Sequence, residues 1–123
     1  MKEAFKVGPD QYLARRDTGT RRYMAPEVYY GIPYGTPADV YSCTMIIWEV
    51  MSLALPFQGQ SKEKHIRTVY VRKRRPKINR RWPREMKRLI KDGWHHDPSR
   101  RPKMAEICDT IEEYLVSRRT KNV

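Results

Sequence analysis

Glycine is scarce in this sequence, and its placement excludes one kind of phosphate cradle. The six glycines, at 8, 19, 31, 35, 59 and 93, never fall at G-x-G-x-x-G spacing. Cysteine is scarcer. Cys43 and Cys108 lie far apart with no Cys-x-x-Cys or Cys/His spacing, which excludes a close-set zinc or disulfide framework. Both read as buried reduced thiols, so a cytoplasmic setting, with the nucleus as alternative, is expected over a secreted one. Long apolar runs are missing too. The most apolar stretch, MIIWEVMSLAL, is broken by Glu49 and too short to span a bilayer, and the opening MKEAFKVGPD has no signal-peptide core. No membrane association is expected. Acid is almost absent between Arg67 and Lys91, where twelve lysines and arginines stand against Glu85 alone.

That segment carries most of the formal charge of +12. Such a run can meet phosphates or acidic partners, but in a folded protein it is usually a solvated face, and it is read so here. The basic stretch RKRRPK at 72–77 is the one place where nucleic acid or an import factor would bind. Aromatic interleaving there is limited to Tyr70 and Trp82, which argues against a nucleic-acid groove.

With 123 residues, 39% hydrophobic and 33% charged, the chain has room for one domain with a modest core. Residues 1–17 mix charge, Gly and Pro without period and read as loop, with 1–9 a disordered or frayed N-terminus. Thr36-Pro37-Ala38-Asp39 places a capping hydroxyl, an N-terminal proline and an acid in helix-start order. The helix that follows, to about Leu53, leaves almost no polar face and should be surrounded by protein. Ser61 can cap a short helix through about Val71, and KRRPKINRRWP reads as an exposed connection. Met86, Leu89, Ile90 and Trp94 recur at helical spacing, and DPSRRP closes that helix. Met104, Ile107, Cys108, Ile111, Tyr114 and Leu115 form the buried stripe of a last helix, followed by a basic tail at 117–123. Four helices and no convincing strand make the chain mainly α. Trp48 and Trp94 fall on apolar helical faces as core residues, while Trp82 is the tryptophan expected at the surface. His65, His95 and His96 lack metal spacing and an adjacent nucleophile.

Several motifs in one order carry a resemblance. Gly19-Thr20, Tyr23-Met24-Ala25-Pro26-Glu27, ADVYS at 38–42, Trp48-Glu49, LPF at 55–57, RRPK at 74–77, Trp94 and DPSRRP at 97–102 together resemble the C-terminal lobe of a eukaryotic protein kinase. The resemblance covers about residues 10–116. Gly-Thr followed by RYMAPE is similar to the serine/threonine side of the family, in its tyrosine-kinase-like group. A partial kinase-like fold, the helical C-terminal lobe only, is implied.

The resemblance also implies roles. Gly19, Thr20, Arg22 and Tyr23 would form the substrate-facing loop of the activation segment, and Glu27 of the A-P-E motif would make a structural ion pair with Arg101. Asp39 would anchor the catalytic loop to the core helix, or act as a plain helix-start acid where that loop is absent. Thr18, after Arg15 and Arg16, is a candidate phosphosite.

Phosphoryl transfer in this family also needs a β-strand lysine, H-R-D-L-x-x-x-N and D-F-G before A-P-E. None of these is present. Asp92-Gly93-Trp94 lies on the wrong side of A-P-E and in a helix pattern. No ATP or magnesium ligand is therefore recognised in this chain, although the complete family domain uses both. The chain is expected to be a fragment supplying substrate platform and scaffold, inactive alone, with a protein substrate or regulator as partner. The alternatives are a non-catalytic remnant that binds proteins through the loop near Tyr23 and the helix from Ser61, or a basic nucleic-acid-binding segment. An apolar patch left open on the core helix would favour self-association.

Overall fold

The computed structural model describes residues 4–14 and 21–121 of the chain. Two short strands, β1 (Ala4–Gly8) and β2 (Gln11–Ala14), precede five α-helices: α1 (Pro26–Tyr29), α2 (Thr36–Ser52), α3 (Lys62–His65), α4 (Arg84–Gly93) and α5 (Met104–Lys121). The fold is mainly α, as the helical periodicity implies.

Over residues 4–14 the hairpin corrects the reading of this region as loop and of its start as frayed, while 1–3 and 15–17 lie outside the described residues. β1 and β2 pair antiparallel, with Phe5 opposite Leu13 and Lys6 opposite Tyr12, and Asp10 takes the left-handed conformation (φ 56°) in the turn. An acid tolerates that region better than most side chains, which is why Pro-Asp suffices. β2 is then tied to the body by Tyr12 and Tyr34, which exchange backbone hydrogen bonds of 2.6 and 2.7 Å. That partner is remote in sequence, so no local period announces it.

α2 is the central helix, but its start differs from the expected one. Gly35 holds the N-cap position with no side-chain capping bond, and Thr36 is already helical. A Cβ on Gly35 would lie 2.6 Å from the Asp10 carbonyl oxygen, so the close passage of the hairpin turn requires glycine there. Ala38, Val40, Tyr41, Thr44, Met45 and Trp48 are buried along α2. The helix is not enclosed on every side: Ile46 is 49% exposed, Val50 66% and Leu53 91%. These positions recur at helical spacing, so they form one open apolar stripe.

The Ser61 hydroxyl oxygen caps α3 by accepting from the Lys64 N–H at 3.2 Å. The chain then widens into a π-helical turn, Ile66–Val71, that buries Val69 and Tyr70. Across the connection at 72–83, the Trp48 indole donates to the Lys77 carbonyl at 2.8 Å. Trp82, expected at the surface, is half-buried and packs on the core. α4 buries Met86, Leu89 and Ile90, and Leu89 and Ile90 join the core cluster with the buried side of α2. Gly93 is the point of closest approach: a Cβ there would sit 2.1 Å from the Thr44 hydroxyl oxygen.

α5 departs most from its sequence pattern. Ile107 is buried and Ile111 packs on the core, but Met104, Cys108 and Leu115 are exposed. The helix also runs on through Lys121, into the segment read as a tail. Length explains part of this. An 18-residue helix reaches about 27 Å, whereas the ten residues of α4 span about 15 Å, so only the first half of α5 has a helix to lie on and Leu115 falls beyond it, while Met104 and Cys108 sit off the narrower face that Ile107 and Ile111 bury. Cys43 is half-buried and Cys108 exposed, which corrects their reading as two buried thiols.

Candidate functional site

The segment from Arg21 to Glu27 joins a turn to α1 and is held from several sides. The Arg22 guanidinium donates through Nε to the Pro56 carbonyl at 2.9 Å. The Tyr23 hydroxyl donates to the Glu49 carboxylate on α2. Ser42, in the second turn of α2, donates its hydroxyl to the Tyr23 carbonyl at 2.6 Å. The Tyr70 hydroxyl, from the π-helical turn, donates to the Met24 carbonyl at 3.0 Å. The same Tyr70 hydroxyl lies 3.2 Å from the Arg21 carbonyl, so three stretches distant in sequence fix four consecutive residues, and the loop's shape belongs to the tertiary structure rather than to its own propensities.

Glu27 and Arg101 close the lower end. Arg101 donates to both Glu27 carboxylate oxygens, at 2.7 and 2.9 Å, in a forked pair whose side chains are 0% and 7% exposed for Arg101 and Glu27. The guanidinium also donates to the carbonyls of His95 (2.8 Å) and Pro37 (2.9 Å). It therefore links α1, the start of α2 and the chain before the Pro98–Arg100 turn. This planar, multiply donating geometry is available to arginine and not to lysine. Asp97 shapes the approach: its carboxylate accepts from the Ser99 N–H and hydroxyl, and those bonds hold it below the usual carboxylate range.

Tyr41 lies beneath the pair, with the guanidinium carbons of Arg101 and Arg75 at 5.1 and 5.2 Å from its ring centre. Burial pushes its phenol up to about 12, against the pull of the two arginines. Arg75 is itself anchored to the Trp94 carbonyl at 2.9 Å, and burial lowers its affinity for a proton. The bond from Glu49 and, secondarily, burial raise the Tyr23 phenol above its ordinary value.

The sequence-predicted residues are not all gathered together. Arg22 and Tyr23 lie on the anchored loop and Glu27 meets Arg101 at its base. Asp39 is exposed, and its carboxylate makes no hydrogen bond or ion pair with another described residue. Its charge is felt at Tyr34, whose phenol is raised by burial first and by Asp39 second. Thr18, Gly19 and Thr20 lie outside the described residues. Sequence reasoning missed Tyr70 and Arg75 as anchors. Arg75 stands in a run of four basic residues and nothing local separates it from Arg74, which points to solvent.

The Tyr23, Ser42 and Tyr70 hydroxyls and the Glu27 and Glu49 carboxylates are engaged in bracing, whereas the buried Tyr41 hydroxyl has no hydrogen-bond partner among the described residues. Among the described residues no three His, Cys, Asp or Glu side chains cluster to hold a metal ion. Glu27 and Glu49 are committed to Arg101 and Tyr23. These residues therefore do not fit a magnesium–nucleotide complex. What they build is a buttressed loop on a helical scaffold. No helix among the described residues is long and apolar enough to cross a membrane.

The chain belongs to the protein tyrosine and serine/threonine kinase family, whose model matches residues 5–111. It is 35% identical over 101 residues to the serine/threonine/tyrosine-protein kinase HT1 of Arabidopsis thaliana, covering 82% of this chain and 26% of that protein. It is 33% identical over 110 residues to the serine/threonine-protein kinase STY17 of Arabidopsis thaliana, covering 89% and 19%. With the dual specificity protein kinase shkD of Dictyostelium discoideum the identity is 32% over 108 residues, covering 87% and 14%. The chain thus spans about a quarter or less of the length of these curated relatives.

Proposed function

We propose that this chain is the substrate-platform and scaffold portion of a serine/threonine-type protein kinase, and that by itself it transfers no phosphate. The observation that carries this reading is the anchored loop: residues 21–27 are pinned by Ser42, Tyr70 and the Glu27–Arg101 pair in a fixed, partly exposed shape. A loop so held presents a surface for a protein substrate or regulator, with Arg22 and Tyr23 at its edge. In this reading Ala25-Pro26-Glu27 is the A-P-E motif, residues before it end the activation segment, and Thr18 is a phosphosite. Asp39, exposed at the start of α2, accepts backbone hydrogen bonds from a catalytic loop in the complete domain. That domain uses ATP and magnesium, whereas this chain has neither the glycine-rich loop nor the H-R-D and D-F-G motifs that hold them. A cytoplasmic or nuclear setting fits its two free thiols.

The test is direct. The purified chain, given radiolabelled ATP, magnesium and a generic protein substrate, should incorporate no label. Incorporation that follows the chain through two unlike chromatographic steps would refute the inactivity. The open stripe of Ile46, Val50 and Leu53 supports a second statement, that the chain self-associates through this face. Sedimentation velocity should show a mass rising with concentration, and the double variant Ile46→Lys, Val50→Glu should sediment as a monomer. An unchanged distribution would remove the stripe from the account.

A further inference from the structure

The basic run is not uniformly a solvated face. Where it passes the end of α2, the chain leaves a cleft of about 740 Å³. Its charged lining is Lys77, Arg80 and Arg81, and its apolar lining is Met51, Ile78 and Trp82, with no acidic residue on the wall. The three apolar side chains pack inward on the core, so the floor is part of the folded body. All three cations are exposed, and none forms an ion pair with another described residue.

The backbone that carries these cations is held still. The Trp48 indole fixes the Lys77 carbonyl at 2.8 Å, the Asn79 side-chain oxygen accepts from the Arg81 N–H at 2.9 Å, and the Trp82 N–H returns to the Asn79 carbonyl at 3.1 Å. Lys87 from α4 donates to the Arg80 carbonyl at 3.1 Å. Positive charge is thus placed before any ligand arrives, which reduces the ordering that binding requires. Three of these bonds use the backbone of Lys77, Arg80 or Arg81, and none of the four engages the charged ends of those residues.

We propose that this cleft docks an acidic protein segment, its carboxylates pairing with Lys77, Arg80 and Arg81 around one apolar side chain seated on Met51, Ile78 and Trp82. Charge complementarity selects the occupant. A second copy of this chain, at +12, brings no net negative charge to match the three cations, so association through the α2 stripe would still leave the cleft's charge unanswered. A single-stranded nucleic acid needs open aromatic faces for its bases, and Trp82, the one aromatic of the wall, packs on the core. A membrane surface meets a flat or convex basic face, and this site is recessed.

The experiment uses the full chain and fluorescein-labelled synthetic peptides, read by fluorescence anisotropy. A peptide of four glutamates around a central leucine should bind, and its affinity should fall as salt is raised. Replacing that leucine by glycine should weaken binding several-fold, because the apolar floor then has no occupant. The double variant Arg80→Glu, Arg81→Glu should weaken it by roughly tenfold, as expected for two charge pairs lost and reversed near a surface. The double variant Arg72→Glu, Arg74→Glu removes equal charge from the same run outside the cleft, and should change the affinity by less than twofold.

Equal losses from the two double variants would show a diffuse field and overturn the proposal. So would indifference to the leucine, or tighter binding of an oligothymidylate of equal charge through the same residues. Association of the chain with itself that the peptide fails to displace would assign the cleft to a second copy and also overturn it.

Discussion

Replacing Arg101 by methionine removes a side chain bonded to several distant parts of the chain, and its consequence can be worked out from the contacts. The guanidinium makes a forked pair with Glu27 and donates to the His95 and Pro37 carbonyls, all with 0% of its side chain exposed. Without it, the Glu27 carboxylate stays buried with no counter-charge, and two carbonyls lose their donor. Breaking a buried pair from one side costs about 3–5 kcal/mol, and the upper end applies to Arg101→Met because acceptors are orphaned along with the charge. Glu27→Gln leaves Arg101 with its carbonyl partners and an amide oxygen, so about 3 kcal/mol or less is expected. The two side chains share one interaction, so the double variant should fall short of the sum by about 2 kcal/mol. Urea unfolding at neutral pH, followed by the fluorescence of buried Trp48 and Trp94, measures all four corners of this cycle. A small domain typically has only about 5–15 kcal/mol to lose, so Arg101→Met is expected near the edge of folding. The reasoning fails if Arg101→Met lies within about 1 kcal/mol of the parent, or if the two single effects add.

Two further outcomes follow from local geometry. Gly93→Ala should cost about 1–3 kcal/mol, because the new methyl would overlap the Thr44 side chain. Adding Thr44→Ala should restore part of that loss even though it forfeits the bond from Thr44 to the Val40 carbonyl, and an unperturbed Gly93→Ala protein would contradict the packing. His65 is 6% exposed between Phe57 and Tyr70, and burial, followed by the Arg21 charge, holds its imidazole below the usual 6.5. The unfolded chain then takes up a proton that the folded chain refuses, so the His65 contribution is present above pH 6.5 and lost as pH falls through the lower folded value. Thermal midpoints should drop on acidification through this window and drop less in His65→Phe, whereas parallel pH curves for the two proteins would exclude His65 as the source.

The site was legible in the sequence to different depths. Pro26, Glu27 and the DPSRRP turn stand out because motif order ties them to a family, yet nothing local says that Glu27 and Arg101 are neighbours. Their contact spans 74 positions, and closing it needs α1, α2 and the Pro98–Arg100 turn in place together. Tyr70 was invisible for a similar reason. Its hydroxyl reaches the Met24 carbonyl only because the chain after α3 widens into a π-helical turn, which no propensity scale signals. Asp92-Gly93-Trp94 reads in sequence as a failed catalytic triplet, and the structure supplies its purpose, close packing of α4 on Thr44 of α2.

By itself the sequence determined the three long helices α2, α4 and α5 and the apolar positions along them, since a period near 3.6 and the punctuation by Pro, Gly and Ser act over a single turn and need no partner. It also determined the family, because several short motifs in one order are specific without coordinates. The tertiary structure alone decided which of those apolar faces found cover. The stripe of α2 through Ile46 and Val50, and the later half of α5, stay open because no described element lies against them. It alone also turned one stretch of a basic run into a cleft while Arg75, one residue from Arg74, went inward under Tyr41. Burial and charge placement depend on which distant surfaces meet, and that information is spread over the whole chain rather than written at any residue.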